Sequence, residues 1–491
     1  MQKIFTCSQA ANLEKASKEK YALPPFLMME NAAAAMAEFI LDFSPEKLLI
    51  LCGKGNNGGD GYALARLLQN KVDITLLAVE APAAEEAKAQ YEMCQRLGLS
   101  VIPELDAEIF KKFCLDKAVI LDCIYGTGFH GELPEAVKEI LDKVNKSSAI
   151  KIACDIPSGL YFNADYTITM GCQKLALYSD KAKAVCGKII LADLGIAREK
   201  FEKAMSAVSE SDDVSETSAY LIDSDDCELP LRKNRAAHKG KFGHTAVLCG
   251  DKAGAGILAA SAAMNFGSGL TSLIKTQNSN LSQFKLSPSL MLGDSIPKKA
   301  TCIIAGSGYS DFSESTAELL VDWASKTAEP ALVLDAGMLT SPKTPDFLSQ
   351  LNAFAKAKII ITPHLSELSR LLENCGADCD FSVSALAENP EARIAAGKYL
   401  TARFPRTTVI MKSANTFIAD GGEIFVVADG AQSLAKGGSG DILAGLCASL
   451  LAQGYSASSA AITATEHHAL LSQELGRQAY DLTPEKLISL L

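Results

Sequence analysis

Two glycine-rich turns, one near each end of the chain, join a strand-like run to a helix-like run, and each carries an aspartate. The first turn covers residues 53–61 after the apolar run 48–52, and the second covers residues 436–441 before the apolar run 442–446. Glycine lets the backbone aim its N–H groups at an anion, and the following helix adds the positive end of its dipole. Both turns are therefore predicted to bind phosphate-bearing ligands, and the chain is predicted to hold two sites.

The length and the hydrophobic pattern predict that these two turns belong to two different domains. With 491 residues, 48% of them hydrophobic and 21% charged, the chain can bury two cores. Short β-branched runs alternate with alanine-rich amphipathic stretches, which is typical of parallel sheets covered by helices on both faces. We predict an α/β fold with two domains, residues 1–210 and 219–491. The acidic, serine-rich segment 209–216 is the predicted linker.

The alternating pattern also predicts individual elements. The predicted strands of the first half are residues 47–52, 73–79, 118–122 and 150–154. The predicted helices of that half are residues 31–43, 62–69, 84–97 and 133–143. The predicted strands of the second half are residues 245–249, 301–305, 331–334, 358–361 and 408–411.

Charge and cysteine usage narrow the class of partner. A net charge of -11 without a dense Lys/Arg block argues against nucleic acid or an anionic membrane as the main partner, so a small ligand is expected. The amino-terminal residues lack a long apolar segment with a cleavage site, and no uncharged run reaches spanning length, so neither secretion nor membrane insertion is predicted. The 14 cysteines are scattered without metal-ligand spacing, which favours reduced thiols in a cytoplasmic protein.

The first turn on its own satisfies a dinucleotide fingerprint. Its three spaced glycines follow a strand, and Glu80 ends the next strand about 20 residues further on. An oxidoreductase would follow from that pattern alone. The fingerprint leaves Asn56, Asn57 and Asp60 without a task, because a carboxylate beside a pyrophosphate is repelled. These residues favour a polar site that does more than hold phosphate.

Two further strands of the first half end in aspartate and glycine. Asp122 precedes the glycine turn 126–128, and Asp155 precedes the turn 156–159. Each aspartate alone is also compatible with a simple turn cap. In an open α/β sheet, however, ligands bind beyond the carboxyl ends of the strands, and three such loops together favour a binding site.

Residues 53–61, 122–128 and 155–159 resemble the YjeF N-terminal domain, the NAD(P)H-hydrate epimerase family, and residues 27–32 resemble its amino-terminal signature. The resemblance covers about residues 1–210 and implies a Rossmann-like domain that binds hydrated NADH and NADPH (NADHX and NADPHX), with a potassium ion (K+) nearby. It implies these substrate-binding residues: Asn56, Asn57, Gly58, Gly59, Asp60, Gly126, Thr127, Gly128, Phe129, His130, Gly131 and Glu132. It implies potassium ligands at Asn57, Asp122 and Ser158, whose oxygen atoms suit a hard cation.

Asp155 would then contact the hydrated ring, and we predict that it is the general acid/base of the epimerase. Interconverting the two configurations at the hydroxylated carbon needs a group that takes and returns a proton, and a partly buried carboxylate can do so near neutral pH. Lys174 is a second candidate for this role. The simpler interpretation of Lys174 is an exposed lysine at a helix end.

The second half resembles the ribokinase-like NAD(P)H-hydrate dehydratases over about residues 219–491. The segments that carry this resemblance are residues 238–244, 254–256, 306–308, 362–364, 411–413 and 438–441. In ribokinase-like folds the Gly-x-Gly-Asp turn is an anion hole, and its aspartate takes the proton of the acceptor hydroxyl. The resemblance implies that ADP with Mg2+ phosphorylates the hydroxyl of the hydrate, after which loss of phosphate restores the nicotinamide double bond. ADP is inferred from the fused, bacterial-type architecture, because the glycine turn suits ATP equally.

The same resemblance assigns roles to residues of the second half. Asp441 is the implied catalytic base and also contacts the substrate, together with Gly308 and His364. The implied nucleotide-binding residues are Lys412, Ser413, Gly438, Ser439 and Gly440. Ser439 replaces a common threonine and keeps its hydroxyl, and Leu365 and Ser366 replace proline and glycine. Gly337 replaces a second aspartate, so one polar contact is expected to be lost.

Four histidines have a simpler interpretation as packing residues. His364 could be a satisfied loop histidine, although its place between a strand and a helix favours a role in binding. His467 and His468 resemble a metal pair, but adjacent residues of a helix point apart, which favours packing. His244 is ambiguous in the same way.

Three functional hypotheses follow from the sequence. The leading one is a bifunctional repair enzyme that epimerises NADHX and NADPHX and dehydrates them. The second is a ribokinase-like kinase of a small molecule with an accessory domain, and the third makes the amino-terminal domain a non-catalytic sensor of the other half. The alanine-rich faces of the second domain also predict a homo-oligomer.

Overall fold

The computed structural model describes residues 1–114, 117–204, 219–277, 279–474 and 480–491. The chain divides into an amino-terminal unit, Lys3–Ser218, and a carboxy-terminal unit, Ala219–Leu491 with Met1–Gln2. Both units are α/β, which confirms the predicted fold class. The predicted linker 209–216 lies outside the described residues.

The first nine strands and first eight helices belong to residues 2–202. The strands are β1 (Gln2–Phe5), β2 (Lys47–Cys52), β3 (Asp73–Ala78), β4 (Val101–Ile102), β5 (Ala118–Cys123), β6 (Ile150–Cys154), β7 (Tyr166–Met170), β8 (Gln173–Lys174) and β9 (Lys188–Ala192). The helices are α1 (Cys7–Tyr21), α2 (Pro25–Leu41), α3 (Asn56–Leu68), α4 (Glu85–Arg96), α5 (Ala107–Lys111), α6 (Glu135–Asn145), α7 (Asp180–Val185) and α8 (Arg198–Glu202).

Seven strands of this unit form a parallel sheet in the order β4-β3-β2-β5-β6-β7-β9. The winding direction reverses at β2, which has β3 on one side and β5 on the other. Loops diverge at such a switch point and leave a crevice beyond the carboxyl ends of the strands. The first glycine turn follows β2 and the turn 126–128 follows β5, so the strand order brings both to this crevice.

Both faces of this sheet are covered. Leu48 and Ile50 of β2 pack into a core that includes residues of α2 and α3. Leu49 and Leu51 face the opposite core, which includes residues of α6. A strand buried on both faces reads as a continuous apolar run, which is why the sequence predicted the bounds of β2 correctly.

The remaining elements belong to the carboxy-terminal unit. The strands are β10 (Ala219–Leu221), β11 (His244–Leu248), β12 (Leu270–Ile274), β13 (Met291–Gly293), β14 (Cys302–Ala305), β15 (Ala331–Leu334), β16 (Lys358–Ile361), β17 (Thr407–Met411), β18 (Thr416–Asp420) and β19 (Glu423–Val427). The helices are α9 (Ala253–Asn265), α10 (Glu314–Ser325), α11 (Thr344–Asn352), α12 (Leu365–Asn374), α13 (Val383–Glu388), α14 (Pro390–Arg403), α15 (Ser439–Ala452), α16 (Ala457–Glu474) and α17 (Pro484–Ser489).

These strands follow the order β13-β12-β11-β14-β15-β16-β17-β18-β19-β10. The pairs from β13 to β17 are parallel, whereas β18 is antiparallel to both of its neighbours. Parallel strands end at one edge of a sheet. The segments 306–308, 335–337, 362–364 and 412–413 follow β14, β15, β16 and β17, so they share that edge.

Two predicted helices begin earlier than expected. The helix predicted at residues 62–69 begins at Asn56, so the second half of the glycine turn is the first turn of α3. Glycine is required here by close packing, because a Cβ on Gly58 would lie 2.0 Å from the carbonyl oxygen of Gly53. The helix predicted at residues 31–43 begins at Pro25, whose fixed φ suits a first helical position.

The alanine-rich helices of the carboxy-terminal unit are buried inside it. α9 and α15 pack against each other, and Ala259, Ala263 and Ala448 are fully buried. A Cβ on Gly445 would lie 2.4 Å from the carbonyl oxygen of Ala259. These faces are therefore internal contacts of the unit and do not favour self-association. The homo-oligomer stays a prediction.

Two further sequence expectations concern membranes and thiols. Among the helices that the structure describes, none is long and apolar enough to cross a membrane. None of the fourteen cysteines, all of which lie in the described ranges, forms a disulfide, and ten of them are buried. Most of the thiols therefore pack in the cores, as the apolar runs around them indicate.

Candidate active sites

The crevice of the amino-terminal unit contains a cavity of about 730 Å³. Ten of the predicted site residues line it: Asn56, Asn57, Asp60, Gly126, Thr127, Gly128, Phe129, His130, Glu132 and Asp155. Gly58 and Gly59 are buried within α3, and a Cβ on Gly59 would lie 2.5 Å from Cε of Met29. Gly131 has a φ of +94° in the same loop as Glu132.

Asp155 follows β6 and is held at both carboxylate oxygens. Its Oδ1 lies 2.7 Å from Nζ of Lys174, and its Oδ2 accepts the backbone N–H of Thr127 at 3.1 Å. Its φ of +69° is unusual for a residue other than glycine. Its backbone N–H donates to the carbonyl of Ile168 at 2.7 Å, which helps to fix this conformation. The carboxylate is only slightly accessible and is well ordered by its contacts.

The structure contradicts the interpretation of Lys174 as an exposed lysine at a helix end. It lies in β8, which pairs with β1, and its exposure is 1%. Its ammonium group also donates to Oγ1 of Thr169 at 3.1 Å and to the carbonyl of Met170 at 2.7 Å. Burial alone would lower the pKa of Lys174, but the charge and hydrogen bond of Asp155, together with Cys172 and Glu14, outweigh burial and the pKa is raised. The sequence could not show this because β8 has only two residues.

Asp122 lies in β5, and Ser158 lies in the turn that follows β6. Asp122 is fully buried and accepts the backbone N–H of Ser158 at 2.8 Å and its hydroxyl at 2.7 Å. Burial raises the pKa of Asp122 to about 6, although these hydrogen bonds oppose the shift. The Ser158 hydroxyl oxygen also accepts the N–H of Tyr125 at 2.9 Å.

Asn57 has a buried side-chain amide whose oxygen and nitrogen have no hydrogen-bond partner in the described part of the chain. Its Oδ1 lies 3.4 Å from the position that a Cβ would take on Gly126. A buried amide without a partner costs free energy, which indicates a missing ligand. Among the described residues, no group of three or more His, Cys, Asp or Glu is placed to hold a metal ion. The amide, carboxylate and hydroxyl oxygens of Asn57, Asp122 and Ser158 are a donor set that fits K+.

Several cavity residues were missed by the sequence analysis. They are Glu14, Met28, Met29 and Tyr125. Glu80 also lines the cavity, although the sequence indicated it only as part of a dinucleotide fingerprint. The Tyr125 ring stacks on Phe129 with 4.4 Å between centroids. Tyr125 could have been found from its place inside the second glycine turn. Glu14 had no local signal, because α1 reaches the cavity only through packing.

The carboxy-terminal unit gathers a second polar cluster at the ends of β15, β16 and β17. Asp335 is buried and accepts the Thr362 hydroxyl at 2.7 Å and the Lys412 ammonium group at 3.0 Å. Burial alone would lower the pKa of Lys412, but Asp335 and Glu367 raise it. The sequence motifs indicate a role for Lys412 but none for Asp335.

Asp441 lies in the first turn of α15, beside this cluster. The helix begins after Gly438, whose φ is +97°, and no side chain caps its N-terminus. Burial and the negative charge of Asp335 raise the pKa of Asp441 to about 6, with Lys412 opposing. A Cβ on Gly440 would lie 3.1 Å from Nζ of Lys412, so this glycine lets the ammonium group approach the helix.

His364 caps α12 and adjoins the same cluster. Its Nδ1 accepts the N–H of Glu367 at 3.3 Å, and its Nε2 lies 3.2 Å from Glu367 Oε1. Its side chain is 55% exposed and so is accessible to a ligand. The N–H of Lys412 donates to the carbonyl of Pro363 at 2.9 Å, which sets His364 beside Lys412.

The other predicted residues of this half surround that cluster. Gly308 has a φ of +72°, and its carbonyl accepts the N–H of Lys252 at 2.9 Å. Ser413 directly follows Lys412 at the end of β17. The Ser439 hydroxyl lies 3.3 Å from Nε2 of the buried His468. The structure thus brings the predicted residues of segments 362–364, 412–413 and 438–441 to one edge of the sheet.

His467 and His468 have packing partners, as the geometry of adjacent helix residues predicted. His244 also has a partner inside the unit. His467 stacks on Phe266 with 5.1 Å between ring centroids. Burial lowers the pKa of His468 to about 4. His244 lies in β11 with Nε2 2.8 Å from the Ser272 hydroxyl.

The structure gives a reason for glycine at position 337. A Cβ at this position would lie 2.6 Å from the carbonyl oxygen of Tyr309. No side chain, polar or apolar, fits there unless the Tyr309 backbone shifts. The loss of a polar contact at this position stays a prediction.

The two units together define a two-domain α/β enzyme in which a Rossmann-like unit precedes a ribokinase-like unit. Residues 26–176 match the family described as YjeF-related protein N-terminus, and residues 245–491 match the family described as NAD(P)H-hydrate dehydratase. The chain belongs to the family of bifunctional NAD(P)H-hydrate repair enzymes.

Two curated relatives illustrate this membership. The bifunctional NAD(P)H-hydrate repair enzyme of Helicobacter pylori is 33% identical over 97% of this chain and 97% of its own length. The enzyme of the same name from Moorella thermoacetica is 27% identical over 97% of this chain and 93% of its own length. Among solved structures, the ADP/ATP-dependent NAD(P)H-hydrate dehydratase of Bacillus subtilis, crystallised with ATP and Mg2+, is 25% identical and covers 52% of this chain and 90% of its own, with a TM-score of 0.42.

Proposed function

We propose that this bifunctional NAD(P)H-hydrate repair enzyme divides its two reactions between its units. The amino-terminal unit epimerises the R and S forms of NADHX and NADPHX, and the carboxy-terminal unit dehydrates the S form to NAD(P)H at the expense of ADP. The observation that carries this proposal is that each unit has its own carboxylate at the carboxyl edge of a parallel sheet. Asp155 borders the cavity of the first unit, and Asp441 lies in the first turn of α15 in the second.

In the amino-terminal unit, we assign proton transfer to Asp155. Hydration of an enamine places the hydroxyl on the carbon beside the ring nitrogen, so the configuration inverts if water leaves and returns on the opposite face. Asp155 can exchange a proton with that oxygen because its carboxylate borders the cavity and is fixed by two partners. Asn57, Asp122 and Ser158 would hold K+, which would supply a fixed positive charge beside the substrate loop.

In the carboxy-terminal unit, we assign the catalytic base to Asp441. With a pKa of about 6 it is mostly ionised at neutral pH and can take the proton of the hydrate hydroxyl as the phosphoryl group is transferred. The N–H groups in the first turn of α15, for which the structure shows no side-chain cap among the described residues, and the Lys412 ammonium group suit the nucleotide phosphates. Ser413 joins the nucleotide site, and Gly308 and His364 contact the hydrate. Mg2+ bound with ADP would neutralise phosphate charge.

The cellular location belongs to the same proposal. We propose a cytoplasmic protein because none of the fourteen cysteines is in a disulfide. Separation of the cell fractions followed by detection of the protein would test this location.

The experiment mixes the purified protein with both NADHX epimers, K+, Mg2+ and either ADP or ATP, and follows the absorbance band of reduced nicotinamide. We expect complete recovery of the band from the wild type. Asp155→Asn should stop at the fraction present as the S epimer, and Asp441→Asn should recover the band at least about 100-fold more slowly. The same mixture prepared from NADPHX tests the second substrate.

Two outcomes would support the other hypotheses. No recovery with either nucleotide, together with a stable phosphorylated product from a vitamin-type alcohol, would indicate a small-molecule kinase. Full recovery by Asp155→Asn would indicate that the amino-terminal unit is a sensor without catalytic activity.

A further inference from the structure

Lys174 is a buried charge whose task the assignments above leave open. Its exposure is 1%, and its ammonium group is surrounded by four oxygen atoms. These are Asp155 Oδ1 at 2.7 Å, Met170 O at 2.7 Å, Thr169 Oγ1 at 3.1 Å and Cys172 O at 3.5 Å. Desolvating two charges costs much of what their attraction returns, so an apolar pair of similar volume is often at least as stable. The ion pair is therefore poorly explained by stability alone.

The position of the pair relative to the cavity indicates its task. Asp155 borders the cavity, whereas Lys174 does not. Lys174 holds Oδ1, and the N–H of Thr127, from the cavity wall, holds Oδ2. Lys174 thus lies behind the carboxylate and can influence a bound ligand only through it.

We propose that Lys174 is a positioning residue of the epimerase site, whose ammonium group fixes the orientation and compensates the charge of the Asp155 carboxylate. This proposal rests on the proposed epimerase function. Lys174 is then not the group that transfers the proton, because its Nζ is directed to four protein oxygens and its side chain does not border the cavity. This positioning also explains how Asp155 keeps a left-handed backbone conformation, since both of its carboxylate oxygens are fixed from outside its own turn.

Two aspartates line the cavity, Asp60 and Asp155, and the ion pair with Lys174 gives them different surroundings. Burial raises the pKa of Asp60 well above its usual range, and the negative charges of Asp155 and Glu14 raise it further. The protonated form of Asp60 is therefore favoured, whereas Asp155 has an ammonium partner. An acid and a base in one cavity suit inversion through loss and return of water.

The titratable groups that face the pair come from several elements. They are Glu14 of α1, Asp60 of α3, Cys154 of β6 and Cys172 before β8. A hydrogen bond with Cys123 and burial raise the pKa of the Cys154 thiol, and burial raises that of Cys172. Among the described groups that face Asp155, Lys174 is therefore the one that carries a positive charge.

The test compares Lys174→Met, Lys174→Arg and Lys174→Gln with the wild type in the full chain. Epimerisation is measured as the rate at which the R form becomes available to the dehydratase, over a range of pH. The dehydration rate of pure S form, an activity of the other unit, and thermal unfolding check that each variant is folded. Lys88→Met, which removes an exposed lysine of α4, is the matched control.

We expect Lys174→Met to lower kcat for epimerisation by about 100-fold with KM changed less than about threefold, because the carboxylate loses its orientation and not its access to substrate. The acid limb of the pH profile should move up by about one unit, since removal of a buried cation favours a neutral carboxyl group. Lys174→Arg should recover at least about tenfold of the loss, because it restores the charge.

Other results would overturn the proposal. A Lys174→Met rate and acid limb equal to those of the wild type would show that Asp155 does not need the lysine. A rise in KM at unchanged kcat would mean that Lys174 binds substrate directly. Equal losses in all three variants, with lower unfolding temperatures and an unmoved acid limb, would mean a purely structural role. Absence of epimerisation in the wild type would refute the proposed function, and this proposal with it.

Discussion

The two proposed catalytic carboxylates differ in how each is paired with a cation. Asp155 contacts Lys174 directly, whereas the cation near Asp441, Lys412, is bound to Asp335. Asp441 is therefore left in a buried position with a negative neighbour. This arrangement sets the pH at which it can act as a base.

The dehydratase should lose activity as the pH falls through about 6. Burial and Asp335 raise the pKa of Asp441 to about 6, and a base must be ionised, so activity is present above this pH and is lost below it. Initial rates with pure S form between pH 5 and 8 measure the limb. Asp441→Asn should lower kcat by between about 10² and 10⁴-fold across the range. An acid limb retained in the residual activity of Asp441→Asn would assign it to another group.

At the scale of elements, the contact between α9 and α15 positions the second site. α15 begins at the Gly-x-Gly-Asp turn, and its buried length packs on α9 through small side chains. Gly445 allows the closest approach, because a Cβ there would lie 2.4 Å from the Ala259 carbonyl oxygen. Packing at this contact therefore affects the placement of Asp441.

Gly445→Ala should destabilise the carboxy-terminal unit by about 1–3 kcal/mol, because the added methyl group forces the helices apart. Gly254→Ala, the same change near the start of α9, is the matched control, since its nearest atom lies 3.8 Å from the added Cβ. Urea unfolding measures both, and the dehydration rate should fall only in Gly445→Ala. Equal stability of the two variants would show that the contact relaxes at little cost.

At the scale of the whole molecule, the two proposed reactions are assigned to different units. Each unit has its own sheet edge, glycine turn and carboxylate. The hydrate is a small molecule that can leave one site and reach another through solution. Nothing in either proposed reaction requires both carboxylates in the same chain.

Variants in different units should therefore complement each other. A mixture of Asp155→Asn, which keeps the dehydratase, and Asp441→Asn, which keeps the epimerase, should recover the whole reduced-nicotinamide band. Asp155→Asn alone should stop at the S fraction. Recovery of only that fraction by the mixture would mean that the substrate must pass between sites of one chain.

The sequence by itself determined the elements and the loops that carry the chemistry. The predicted bounds of β2, β6, β15 and β16 agree with the structure, because strands buried on both faces are continuous apolar runs between polar or glycine-rich turns. The glycine turns were found for a similar reason, since close backbone approach is possible only for glycine. Family membership followed from these local motifs and is confirmed by the relatives. The roles of individual residues stay predictions.

Only the tertiary structure decided which distant residues meet. Lys412 and Asp335 are separated by 77 positions, and their ion pair depends on the order of the strands. Lys174 read as an exposed lysine because its burial comes from packing around a two-residue strand. The alanine-rich helices read as an outer surface, although α9 and α15 cover each other. Local sequence sets the period and the turns of a chain, whereas burial and pairing arise from contacts between segments far apart in it.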